Sequence, residues 1–248
     1  MTRWVVWIDG GVRFGALLGE NIQPYKGDIF GAPEPDGAPI AAASVTLVSP
    51  VRPRQFIGLW NNFHALAEKQ GNAKPDFPLY FLKAPSSIIG PGAPITAPAE
   101  GKMLYEGELG IVIGRDQSIF GYTIVNDVTA LDTLIADASF PQWARAKSFR
   151  SFGPVGPCIV PDIDLAIARV QVALNGRVRQ DYPLADMIIP PARIVELIGR
   201  EVALEPGDVI ACGTSLGALP MRPGMEVSVS IDGIGTLTNP VAGGAAPA

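Results

Sequence analysis

Apolar residues along this chain come in short runs that alternate with polar ones, each run closed by glycine, proline or aspartate. Side chains two apart share a face of a strand, so this rhythm predicts β-structure broken by tight turns. Trp4-Val5-Val6-Trp7-Ile8 reads as a strand that turns at Asp9-Gly10 into a second strand over Val12–Leu17. Residues 18–50 are rich in proline, glycine and alanine and read as a connector to the main body. Asn175-Gly176, between Val170–Leu174 and Arg177–Gln180, is a strong hairpin signal, because both residues tolerate the positive φ of a two-residue turn. Asp232-Gly233 plays the same part between Val227–Ile231 and Ile234–Leu237. Helical candidates are few: Asn62–Lys69, Leu131–Ala138 and Ala192–Arg200, the last preceded by Pro190-Pro191 in helix-start position. These elements predict a β-rich α+β fold. The expected divisions are a small N-terminal β region with its connector over 1–50, a main domain over 51–242, and a flexible tail over 243–248.

With 248 residues the chain can bury a substantial core. A net charge of −5 without a basic run gives no footprint for a nucleic-acid backbone. No apolar stretch approaches the length that crosses a bilayer, and the N-terminus reads as a strand rather than a signal peptide, so a cytoplasmic protein is expected. Cys158 and Cys212 are too few for a disulfide framework and lack metal-site spacing, so two buried thiols are expected. Composition thus fits a soluble enzyme acting on a small molecule.

The candidate chemistry centres on Tyr105–Gly114 and Gly121–Asp127. The first run reads as a strand ending in a turn at Gly114-Arg115-Asp116. Glu106 and Glu108 then share a face with Leu104 and Val112, while Tyr105, Leu109, Ile111 and Ile113 line the other. Two like charges side by side repel and call for a neutralising partner. Asp127, ending the next apolar strand, supplies a third carboxylate. Three convergent carboxylates make a hard oxygen site suited to Mg²⁺ or Mn²⁺, with Ca²⁺ as an alternative. A solvated strand face is the plainer reading of Glu-x-Glu, and the surrounding residues have to decide.

His64 is the single histidine. An Asn of Asn61-Asn62 can cap a short helix that ends at Gly71, which places His64 and Glu68 four apart on one face. A carboxylate beside an imidazole orients it and favours its protonated form, as suits a general base that activates water. The alternative is a surface pair.

Glu-x-Glu-Leu, then Gly-Tyr-Thr-Ile-Val-Asn-Asp-Val, Ala-Lys-Ser-Phe and Gly153-Pro154-Val155-Gly156-Pro157 together resemble the fumarylacetoacetate hydrolase family. The resemblance continues through Leu174–Gln180, Leu204–Ile210, Gly213-Thr214 and Gly233–Leu237, and covers roughly residues 54–241. It implies a mixed β-roll or β-sandwich core with short edge helices, a homodimer, and Glu106, Glu108 and Asp127 as metal ligands. It also implies Lys147 as the active-site lysine that stabilises an enolate. Thr214 matches the threonine that bonds the substrate, and Lys83 a Phe-x-Lys motif that a surface lysine would equally explain. Tyr122 and Arg145 complete the substrate-binding candidates. The family's water-activating histidine and acid, aligned on Asn62-Phe63, fall at Leu66 and Lys69, so His64 and Glu68 are displaced from them.

The expected reaction is metal-dependent cleavage of a C–C bond next to a carbonyl in a 1,3-dicarbonyl or 2-oxo-acid-like compound, as in aromatic catabolism. Decarboxylation, isomerisation or hydration through an enolate are alternatives. One departure bears on substrate. Where the family commonly carries an Arg and a Gln that hold a 2-oxo acid, this chain has Leu131 and Leu134, and an apolar side chain cannot anchor a carboxylate. Arg145 or Arg150 is the candidate replacement. A different class is a serine hydrolase, because Gly213-Thr214-Ser215-Leu216-Gly217 matches the Gly-x-Ser-x-Gly elbow; that elbow must lead into a helix, and Ala218–Gly224 looks turn-like. A non-catalytic protein that keeps the metal is the third reading.

Overall fold

Three consecutive strands open the chain, β1 (Arg3–Ile8), β2 (Val12–Leu18) and β3 (Asn21–Lys26), each antiparallel to the one before. The computed structural model describes residues 2–244, so Ala245–Ala248 of the expected tail lie outside it. The hairpin of β1 and β2 is as expected, but much of the supposed connector is sheet. Ile22 in β3 is fully buried, and Leu47–Val48 pairs back onto β1. Gly15 lets β3 come close, since a Cβ there would stand 2.4 Å from the Gln23 carbonyl oxygen. Proline- and glycine-rich composition marked many turns here, and the strands between them were too short to register.

Apart from two-residue strands, the remaining ones are β4 (Phe56–Trp60), β5 (Leu79–Lys83), β6 (Gly107–Ile113), β7 (Ile119–Asn126), β8 (Gly153–Val160), β9 (Arg169–Leu174), β10 (Arg177–Pro183), β11 (Val209–Ala211), β12 (Glu226–Ile231) and β13 (Gly235–Ala242). One open sheet runs β3-β2-β1-β8-β7-β6-β11-β4-β5, with the N-terminal strands joined to it through Trp4 opposite Ile159. A second open sheet runs β13-β12-β9-β10. Leu109, Ile111 and Ile113 of β6 share one buried cluster with Val170, Val172, Val229 and Leu237 of the second sheet. Val112 of β6 packs on the opposite side with Val125, Val155 and Val209. The alternation read from sequence therefore holds, and β6 is buried on both faces. Asn175 (φ 49°) and Gly176 (φ 73°) form the expected turn between β9 and β10.

Four short helices decorate the edges: α1 (His64–Gln70), α2 (Leu131–Leu134), α3 (Trp143–Lys147) and α4 (Pro191–Gly199). The fold is β-rich α+β, as expected. Helix α4 starts on proline and buries Ile194, Val195, Leu197 and Ile198. The expected asparagine cap of α1 is not made. Asn62 is buried and bonds the backbone of Ile189 and Cys212, while Asp186 accepts the Ala65 N–H at 3.0 Å. Gly71 closes α1 in the left-handed region, as expected. Helix α2 stops at Leu134, four residues short of the expected end, and the five-residue α3 is too short to show a period.

Candidate active site

Antiparallel pairing of β6 and β7 sets Gly107 opposite Asn126 and Glu108 opposite Val125. Just beyond that ladder the Asp127 N–H donates to the Glu106 carbonyl at 2.8 Å. Register alone thus brings Glu106, Glu108 and Asp127 together, with one carboxylate oxygen of each inside 4.8 Å of the others. The strand expected from Tyr105 is interrupted there: Met103–Leu104 pairs with Thr129–Ala130 and Pro220–Met221 in a separate small sheet. Alternation survives the break. Leu104, Glu106 and Glu108 line a cavity, whereas Tyr105 is fully buried in the core.

Two buried lysines answer the three carboxylates. Lys147, at the end of α3, places Nζ 2.5 Å from Asp127 Oδ2 and also bonds Glu106 Oε2. Lys83 comes from the edge strand β5, with Nζ 2.6 Å from Asp127 Oδ1. Its ammonium also donates to the carbonyls of Lys147, at 2.5 Å, and Phe152, at 3.1 Å. Its side chain is 0 % exposed and lies outside the cavity wall, which corrects both the surface reading and the substrate-binding role expected for it. Lys83 instead ties β5 to the carboxylate cluster and to the end of α3.

Burial raises the Glu106 carboxyl, and Lys147 only partly pulls it back. Burial raises Glu108 further, helped by the charge of Asp127. Burial also acts to raise Asp127, but Lys147 and Lys83 together outweigh it and hold this carboxyl below its ordinary value. Burial lowers Lys83, whereas at Lys147 the three carboxylates overcome burial and raise the ammonium. These directions favour the charged forms of Asp127 and Lys147 and the neutral form of Glu108, so a divalent cation bound there would compete with a proton on Glu108.

The segment after β11 closes the other side. The Gly213 N–H donates to Glu108 Oε2 at 2.8 Å, from a backbone at φ 90° that only glycine adopts easily. The Thr214 hydroxyl donates to the Gly107 carbonyl and accepts from Gln180 Nε2, both at 3.0 Å. Gln180 is buried and also bonds the carbonyls of Ser215 and Leu216 and the Gly107 N–H. No role for Gln180 was read from sequence; its position inward on the β10 hairpin strand was the available signal.

The cavity measures about 460 Å³. Glu106, Glu108, Lys147 and Thr214 line it, and Leu131 and Leu134 do as well. Helix α1 contributes Leu66, Lys69 and Gln70. His64 and Glu68 are outside the lining, and no ion pair joins them among the described residues. The reason is helical phase: at 100° per residue, positions 64 and 68 fall on the side of α1 away from Leu66. Tyr122 is packed in the core, and Arg145 is exposed, so neither lines the cavity. Ser215 lines the cavity, but turn and coil follow it, so the elbow that would activate it is missing.

The donor set fits a hard divalent cation: three carboxylates within reach of one another, two of them on a cavity wall. The family described as fumarylacetoacetate (FAA) hydrolase C-terminal matches residues 55–242. The chain belongs to that family. An Rv2993c-like N-terminal family matches residues 3–50. Protein Rv2993c of Mycobacterium tuberculosis is 38% identical over 252 residues, covering 93% of this chain and 94% of that protein. The structure of 2-hydroxyhepta-2,4-diene-1,7-dioate isomerase from Mycobacterium marinum is 36% identical with a TM-score of 0.88, covering 98% of each chain. Maleylpyruvate hydrolase from Sphingobium sp. SYK-6, solved with manganese(II) and pyruvate, is 26% identical with a TM-score of 0.76, covering 99% of this chain and 100% of that one. The family is one of enzymes, with both isomerases and hydrolases among this chain's relatives. No helix among the described residues is long and apolar enough to cross a membrane.

Proposed function

We propose that this protein is a divalent-metal-dependent enzyme that forms an enolate from a 2-oxo acid or 1,3-dicarbonyl compound and returns it as an isomer or tautomer. The observation that carries the choice is the cavity side of α1, which holds Leu66, Lys69 and Gln70 where hydrolysis needs a base for water. Glu106, Glu108 and Asp127 would hold Mg²⁺ or Mn²⁺, which supplies Lewis-acid polarisation of a carbonyl. Lys147 carries a fixed positive charge at the cavity wall, where a substrate oxygen gaining negative charge would meet it. Asp127 holds that ammonium in place from behind, and Lys83 fixes Asp127 and the Lys147 backbone carbonyl. The Thr214 hydroxyl can turn from the Gly107 carbonyl to a substrate oxygen while Gln180 keeps the loop fixed. C–C bond hydrolysis is the second reading, supported by the maleylpyruvate hydrolase relative.

The test follows acylpyruvates with Mg²⁺ or Mn²⁺ by ultraviolet absorbance and by proton exchange into deuterium oxide. Metal-dependent keto–enol interconversion without released pyruvate is expected; stoichiometric pyruvate would establish the hydrolase instead. A homodimer is part of the proposal, supported by Leu79, Tyr80 and Leu82 exposed on the edge strand β5. Light scattering should then give twice the chain mass of 26.1 kDa.

A further inference from the structure

The wall of the cavity away from the carboxylates is apolar and aromatic. Trp143 stacks on Phe81, with ring centroids 5.4 Å apart and planes at 18°, and Trp60 meets Trp143 at 6.1 Å. Phe81 in turn carries Lys147 Nζ 5.1 Å from its ring centroid, so the aromatic wall begins at the charged end of the site. Leu131 and Leu134 also line the space. Among the described residues, Lys69 and Lys147 are the cations on the cavity wall, and Lys147 is already shared by Asp127 and Glu106. A second carboxylate on the substrate would therefore have Lys69, an exposed side chain of α1, as its one uncommitted partner, and seated instead against leucine and tryptophan it would bury an unpaired charge, which is costly. A flat or branched uncharged group would be well received there.

We propose that the substrate carries a single carboxylate and a remote tail that is uncharged and apolar, an aryl or alkyl group seated between Phe81–Trp143 and Leu131–Leu134. This rests on the enolate reading above and narrows it. It also separates the chain from its isomerase relative, whose named substrate is a dioate.

The test is equilibrium binding to the Mg²⁺-supplemented protein, by calorimetry and tryptophan fluorescence, under conditions where turnover is followed separately. Acetylpyruvate, hexanoylpyruvate and benzoylpyruvate are compared with the dicarboxylate fumarylpyruvate. Affinity should rise about fourfold per added methylene, the value of burying one such group. Benzoylpyruvate should quench tryptophan emission, and fumarylpyruvate should bind at least tenfold more weakly than hexanoylpyruvate. Leu131→Arg should reverse the order of those two. Should that variant misfold by circular dichroism, Leu134→Gln and Trp143→Ala should each flatten the dependence on tail length. Equal affinity across the tail series, tighter binding of fumarylpyruvate, or no binding of any member overturns the inference. Tail-dependent binding without isomerisation defeats the enolate reading alone, whereas isomerisation with a flat tail series defeats this inference alone.

Discussion

The two ends of the cavity are built by different means. The charged end comes from β6 and β7, whose register fixes three carboxylates, and from two lysines that are almost fully buried. The apolar end combines Trp60 and Phe81, from the strands β4 and β5, with side chains of α1, α2 and α3, helices of only seven, four and five residues. A hydrogen-bonded ladder resists displacement, whereas short helices hold their place mainly by packing. In the proposed reading the three carboxylates thus sit on the stiff ladder, whereas Lys147 and much of the substrate-facing wall depend on short helices. Substitutions at the first end should cost chemistry, and those at the second should redirect it.

Asp127→Ala gives the largest expected effect. It removes a metal ligand and strips Lys83 and Lys147 of a shared partner, so Mn²⁺ binding by calorimetry and activity should both vanish. Glu106→Ala should do the same to metal binding, and unchanged Mn²⁺ affinity in either variant would dispose of the site. Next in size is Lys83→Met, which leaves the cavity wall intact but deprives Asp127 of a buried counter-charge. Breaking such a pair costs about 3–5 kcal/mol, and a near-unchanged denaturation midpoint would show that Lys83 is dispensable.

A pH effect separates the ends further. Because burial raises Glu108 and Glu106, protons compete with metal, and apparent Mn²⁺ affinity should climb with pH by up to about tenfold per unit per proton released. In metal-free protein the sign for stability is opposite. A raised carboxyl stabilises the fold fully below its unfolded value, and that contribution is lost as pH rises through the folded value. Metal-free Glu108→Gln should therefore melt above wild type at neutral pH, by roughly 2–4 °C for each kcal/mol recovered at this chain length. A lower melting point would mean the carboxylate is satisfied as it stands. The smallest effect is expected at His64, which is off the cavity wall. His64→Gln should change turnover by less than about threefold, and a loss near a hundredfold, the scale of a missing general base, would restore it as the base for water.

The sequence by itself determined the parts whose cause is local. Alternation put Leu104, Glu106 and Glu108 on one face and the core residues of β6 on the other, even across the break at Tyr105. Asn175-Gly176 made its turn because two positive φ values are a property of those two residues. Ordered motifs likewise identified the family. Tertiary structure decided whatever depends on partners far along the chain. Lys83 became a buried ion pair because β5 and α3 converge on Asp127, and no property of Phe-x-Lys foretells that. Asp186 took the capping task expected of an asparagine of Asn61-Asn62, because Asn62 was needed between Ile189 and Cys212. Arg145 and His64 fell away from the cavity, since a helix of five or seven residues takes its phase from the surface it packs on, and that surface is assembled only when the sheet is complete.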